Sequence, residues 1–82
     1  MTSFTIEGSS LRLLRPNERG VVSRIDSSKG DLVAQKLRSM NITTGTTVTV
    51  EQQFPRFILR VGHDQVVLSD PLRDAIYIRL SR

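Results

Sequence analysis

Apolar and polar residues alternate with a period of two along much of this chain. Val48 and Val50 alternate with Thr47, Thr49 and Glu51, Phe57, Leu59 and Val61 with Ile58 and Arg60, and Ile76, Ile78 and Leu80 with Tyr77 and Arg79. Successive side chains of a strand point to opposite faces, so each run predicts a strand with one buried face. Gly20 to Asp26 is β-branched and partly alternating and predicts another, with Arg24 sharing Val22's face and therefore sitting at a rim. Gly62-His63-Asp64 reads as a tight hairpin turn between the strand ending at Val61 and a partner over Val66 to Leu68.

One stretch follows a helical period instead. After the loop Ser27 to Asp31, which ends in a capping residue, Val33, Leu37 and Met40 recur at spacings of four and three, with Leu32 and Ala34 beside them. This predicts a helix over roughly Asp31 to Met40. Lys36 and Arg38 lie in its C-terminal half, where cations favour the macrodipole, and Asn41 suits the left-handed stop position. A short helical turn is expected from Asp70 as cap through Ala75, with Pro71 at the first helical position, where its missing N–H costs nothing.

Arg15 to Gly20 supplies a turn, Pro16 pre-setting φ and Gly20 able to take a positive φ. Residues 1–10 read as a loosely held arm that Phe4 and Ile6 pin to the body. About five to six short antiparallel strands, one helix and one helical turn predict a mainly β fold, a small closed barrel over residues 11–82, because closure removes exposed edges. At 82 residues the chain holds one core and does not divide it.

Composition removes several chemistries. Without cysteine there are no disulfides, thiolate metal sites, iron–sulfur clusters or cysteine nucleophiles. No apolar run approaches the roughly 20 residues that cross a bilayer, and the opening residues lack a secretory pattern, so the expected compartment is the cytoplasm. Twelve basic against eight acidic side chains give a net charge of +4, which permits an anionic partner without requiring one.

His63, the only histidine, stands beside Asp64, and imidazole with carboxylate can ligate Fe(II). A specific site needs further ligands at matching spacing, and a solvated turn is the simpler reading of the pair. Asp70 and Asp74 are four apart, but Asp70 is explained as a cap, and no nucleophile stands with a base; no enzyme is expected. Arg15, Arg19, Arg24, Lys29, Lys36 and Arg38 crowd the first half of the chain, which keeps a nucleic-acid-binding small barrel as the alternative. Phe4, Phe54, Phe57 and Tyr77 are few aromatics for stacking bases.

Four phrases then occur in a familiar order: Leu11 to Arg15, the glycine-led Arg19 to Ile25, the basic helix and turn Gln35 to Thr46, and Val66-Val67-Leu68 followed by the helical turn and Ala75-Ile76-Tyr77-Ile78. Over Leu11 to Leu80 they resemble FeoA domains, small SH3-like barrels found beside the bacterial iron transporter FeoB and at the C-terminal end of some metal-dependent repressors. Met40-Asn41 stands where the family usually has Leu-Gly, and Thr44 precedes Gly45 where proline is usual. Asparagine is the best non-glycine residue for positive φ, so the first change preserves the backbone logic. The connection from Gln53 to Arg56 is shorter than the family's.

The resemblance implies a cytoplasmic accessory protein of ferrous iron transport and iron homeostasis that binds the cytoplasmic region of a FeoB-type transporter and modulates it. No resident cofactor is expected, with weak or transient Fe(II) binding at exposed carboxylates left open, and barrel edges and the N-terminal arm leave weak self-association open as well. The expected docking surface is the helix face of Val33, Leu37, Arg38 and Met40, beside the turn. An adaptor for another protein partner is the remaining alternative.

Overall fold

The computed structural model describes residues 9–28 and 30–80. The expected packing of Phe4 and Ile6 and the placement of Lys29 lie outside these residues, as does the side chain of Leu80. The elements run β1 (Ser9–Ser10), a 3₁₀ turn (Leu11–Leu13), β2 (Arg19–Ile25), α1 (Asp31–Ser39), β3 (Thr47–Gln52), β4 (Phe57–Val61), β5 (Asp64–Leu68), α2 (Asp70–Asp74) and β6 (Ile76–Leu80). The strands form one antiparallel sheet in the order β1-β6-β2-β3-β4-β5.

The alternating runs bury the faces expected of them. Val48, Val50, Leu59, Ile76 and Ile78 point into one core, which Leu11, Leu14, Leu37 and Ile42 complete from outside the sheet. Each such side chain contributes about 1.5–3 kcal/mol by leaving water. The hairpin between β4 and β5 is as tight as its sequence demands: Val61 faces Asp64, and Gly62 takes φ 63.

Closure is where the fold departs from expectation. β1 and β5 end the strand order without pairing, so the sheet is not closed into a barrel. The 3₁₀ turn packs against β6 and α2, and α2 packs against β5, so side chains instead of hydrogen bonds span the gap. This covers apolar surface at the open end, while the backbone edge of β5 has no partner strand among the described residues.

A bulge also overturns the placement of Arg24. β2 pairs Val22 with Ile78 but Arg24 with Tyr77, so Ser23 is an extra residue and the strand changes face across it. Val22 is buried, while Arg24 is exposed with its guanidinium 4.4 Å from the centroid of the Tyr77 ring. The Ser23 hydroxyl donates to the Tyr77 carbonyl at 3.2 Å and fixes the bulge.

Gly20 is likewise not the positive-φ residue of its turn. That role falls to Asn17, at φ 74, whose N–H donates to the Val50 carbonyl at 2.6 Å. Gly20 is buried in β2, where a Cβ would lie 3.2 Å from both the Arg79 carbonyl oxygen and Ile78 Cδ1. A close approach, not a turn, requires glycine there.

The helix termini are built mostly as the sequence indicates. Asn41 takes φ 65, its N–H donates to Arg38 at 2.9 Å, and the Ile42 N–H donates to Leu37 at 2.9 Å. This is a Schellman stop, and it sets Ile42 into the core beside the end of α1. The last helical residue is Ser39 and not Met40; Gly30 and Ser69, not Asp31 and Asp70, occupy the N-cap positions.

Candidate partner-binding surface

The helix face expected to dock is mostly inside the protein. Leu37 has 0% of its surface exposed, and Val33 and Met40 are half-buried against the core. Arg38 is exposed, and the prominent apolar side chain of α1 is Leu32, at 71%. The periodic stripe seals the core, which leaves Leu32 and the polar side of α1, with Lys36 and Arg38, on the surface.

A more developed surface lies at the open end of the sheet. A groove of about 480 Å³ opens between the connection from β3 to β4, the end of β5, the start of α2 and Arg12 of the 3₁₀ turn. The connection is anchored at both ends: Gln52 Nε2 donates to the Arg56 carbonyl at 3.2 Å, and Gln53 Nε2 to the Leu14 carbonyl at 2.5 Å. Between these anchors Phe54 lines the groove with 86% of its surface exposed, and Val67 of β5 is half-exposed beside it.

Three arginines line the same groove. Arg73 is neutralised by Asp70 at 3.4 Å and Asp74 at 3.2 Å, and its guanidinium lies 5.8 Å from the Phe57 ring centroid. Among the described residues neither Arg12 nor Arg56 has a carboxylate partner. The groove therefore joins an exposed aromatic ring to unneutralised positive charge, a combination suited to an acidic and apolar protein surface.

Nearby, on the outer face of the sheet, Glu51 accepts from Arg60 Nε at 2.5 Å and from Gln65 Nε2 at 2.5 Å. The Arg60 bond chiefly holds its carboxyl below the ordinary value of 4.5, against a smaller opposing effect of desolvation, with Gln65 adding to the lowering. The triad ties β3, β4 and β5 together across their exposed side.

His63 and Asp64 are exposed at the hairpin tip, and among the described residues no group of three or more histidine or acidic side chains is placed to hold a metal. Arg15, Arg19, Lys36 and Arg38 are exposed, and Arg24 covers a face of Tyr77 that a base would otherwise use. Sequence reading missed the groove because Phe54-Pro55 looked only like a strand break. The available signal was a large aromatic in a connection that has no periodic face to bury it.

This architecture is that of the small, mainly β SH3-like class, here with an open sheet. The FeoA domain family matches residues 9–80, and the chain belongs to that family. It is 80% identical over 82 residues, the full length of both chains, to the Leptolyngbya boryana "Putative Fe(2+) transport protein A". Among solved structures it resembles a FeoA iron uptake regulatory protein at 28% identity and a TM-score of 0.77, over 87% of this chain and 93% of that one. A manganese-dependent transcriptional repressor shares the fold at 19% identity and a TM-score of 0.82, over 98% of this chain and 45% of the repressor. Among the described residues no helix is long and apolar enough to cross a membrane.

Proposed function

We propose that this protein is a non-enzymatic cytoplasmic accessory factor of ferrous iron transport that binds the cytoplasmic region of a FeoB-type transporter and modulates its activity. The observation that carries the reading is the full-length 80% identity to a protein named for Fe(2+) transport. The groove supplies a means, since an exposed Phe54 beside Arg12 and Arg56, which have no carboxylate partner among the described residues, is the kind of anchor on which protein interfaces concentrate their energy. Direct titration of the purified chain against the cytoplasmic region of the transporter from the same cell, with and without guanine nucleotide and Fe(II), tests it. Saturable binding near micromolar is expected, about −8 kcal/mol; no binding under any condition overturns the reading.

A further inference from the structure

The open sheet exposes more than side chains. In a hairpin with a two-residue loop the flanking residues form a hydrogen-bonded pair, and such pairs alternate with non-bonded ones along the ladder. Val61 and Asp64 flank the loop, so Leu59 with Val66 and Phe57 with Leu68 are also bonded pairs. Gln65 and Val67 therefore direct their backbone N–H and C=O groups away from β4. Among the described residues β5 has no second neighbour in the sheet, and the backbone of neither residue bonds elsewhere. Both residues are exposed.

This edge meets the groove at its own end, where Val67 and Leu68 form part of the wall. We propose that β5 receives an extended acidic segment of a partner protein, added to the sheet as one more strand. One of the segment's large apolar side chains covers Phe54 and Val67, and its carboxylates face Arg12 and Arg56. An edge that alternates N–H donors with C=O acceptors is matched by another polypeptide backbone, whereas phosphates supply acceptors alone, which sets the class of occupant. The unneutralised arginines and the net charge of +4 set its sign.

A second copy of this chain fits less well. Antiparallel pairing of β5 with its counterpart would bring the other hairpin tip, Gly62-His63, towards the groove, and that tip has no large apolar side chain to cover the Phe54 ring. The proposal rests on the reading that the protein acts by binding another protein, and it names the chemistry of the segment bound.

The test uses the full chain and a fluorescent peptide of about ten residues, long enough for one strand, in which aspartate alternates with valine and phenylalanine. A second peptide carries lysine in place of aspartate. Val67→Pro removes one outward N–H while leaving the β4 ladder unchanged, and Arg56→Glu reverses the charge of the rim without touching the edge. The acidic peptide is expected to bind, each variant to weaken it about tenfold or more, and added salt to weaken it further. Equal binding of the basic peptide overturns the proposal, as does acidic-peptide binding that neither variant changes. Dimerisation in sedimentation that Val67→Pro abolishes, with no peptide bound, overturns it in favour of a second copy.

Repeating the series with the transporter's cytoplasmic region separates the two readings. Binding that Val67→Pro and Arg56→Glu leave intact sinks the edge site and keeps the accessory role. Peptide results as expected with no transporter binding sink the accessory role and keep the edge site.

Discussion

α1 and the connection between β3 and β4 treat their apolar residues in opposite ways. In α1 the regular stripe turns Leu37 wholly inward and half-buries Val33 and Met40. In the connection, which has no period at all, Phe54 stands outward over a groove rimmed by arginine. Periodicity therefore reports what the fold needs for itself, whereas the large apolar residue of an anchored loop without a period is left outside the core.

The largest effect that sharpens this contrast is expected inside α1. Leu37→Ala should destabilise the chain by about 2–5 kcal/mol through lost burial and a residual cavity, read as a fall in the urea midpoint. A change below the lower figure would mean that the helix is less committed to the core than its burial indicates. Next, Asn41→Ala keeps a Cβ at φ 65 but loses the short polar side chain that eases the left-handed conformation, and should lose up to about 1 kcal/mol, while Asn41→Gly, with no Cβ, should hold or raise stability. Equal stability of the two variants would remove the Schellman stop from the account of why Ile42 is buried.

On the other side, Phe54→Ala should change stability by no more than about 0.5 kcal/mol while weakening the proposed transporter complex about tenfold. A large loss of stability would break the contrast between the two regions. The smallest effect belongs to Glu51. Its folded pKa lies below 4.5, so the stability it contributes is present above that pH and is lost as pH falls below it. Urea midpoints of the wild type and Glu51→Gln should therefore differ slightly at neutral pH and converge in acid. The gap should shrink in high salt, because exposed pairs are weak and screened.

Much of the fold was legible because its signals are local. The strands over Thr47, Phe57 and Ile76 and the helix stop at Asn41 all follow from alternation and backbone preference. Closure was misjudged because it depends on whether β1 and β5 meet, and no short window carries that information. The positive φ expected at Gly20 fell to Asn17 for a similar reason: the crowding that requires glycine at position 20 comes from β6, far along the chain. For the candidate site, the helix stripe was visible but belongs to the core. The groove was not visible, since it assembles Arg12, Phe54, Arg56 and Val67 from segments that meet only in the folded protein.

The bulge in β2 has a counterpart in β3, where Val50 pairs with Leu59 but Gln52 with Ile58, leaving Glu51 as the extra residue. Each acts as a frameshift in the inside–outside parity of its strand. Upstream and downstream of Ser23 the same odd-even rule gives opposite answers, and that is how Arg24 escapes the core. Straightening the strand with Ser23 retained would put Arg24 in step with Val22 and drive a charge inward, whereas deleting Ser23 would make Val22 and Arg24 neighbours on opposite faces with both pairings kept. The extra residue is therefore what allows an arginine two positions after a core valine to lie on the outer face of the same strand.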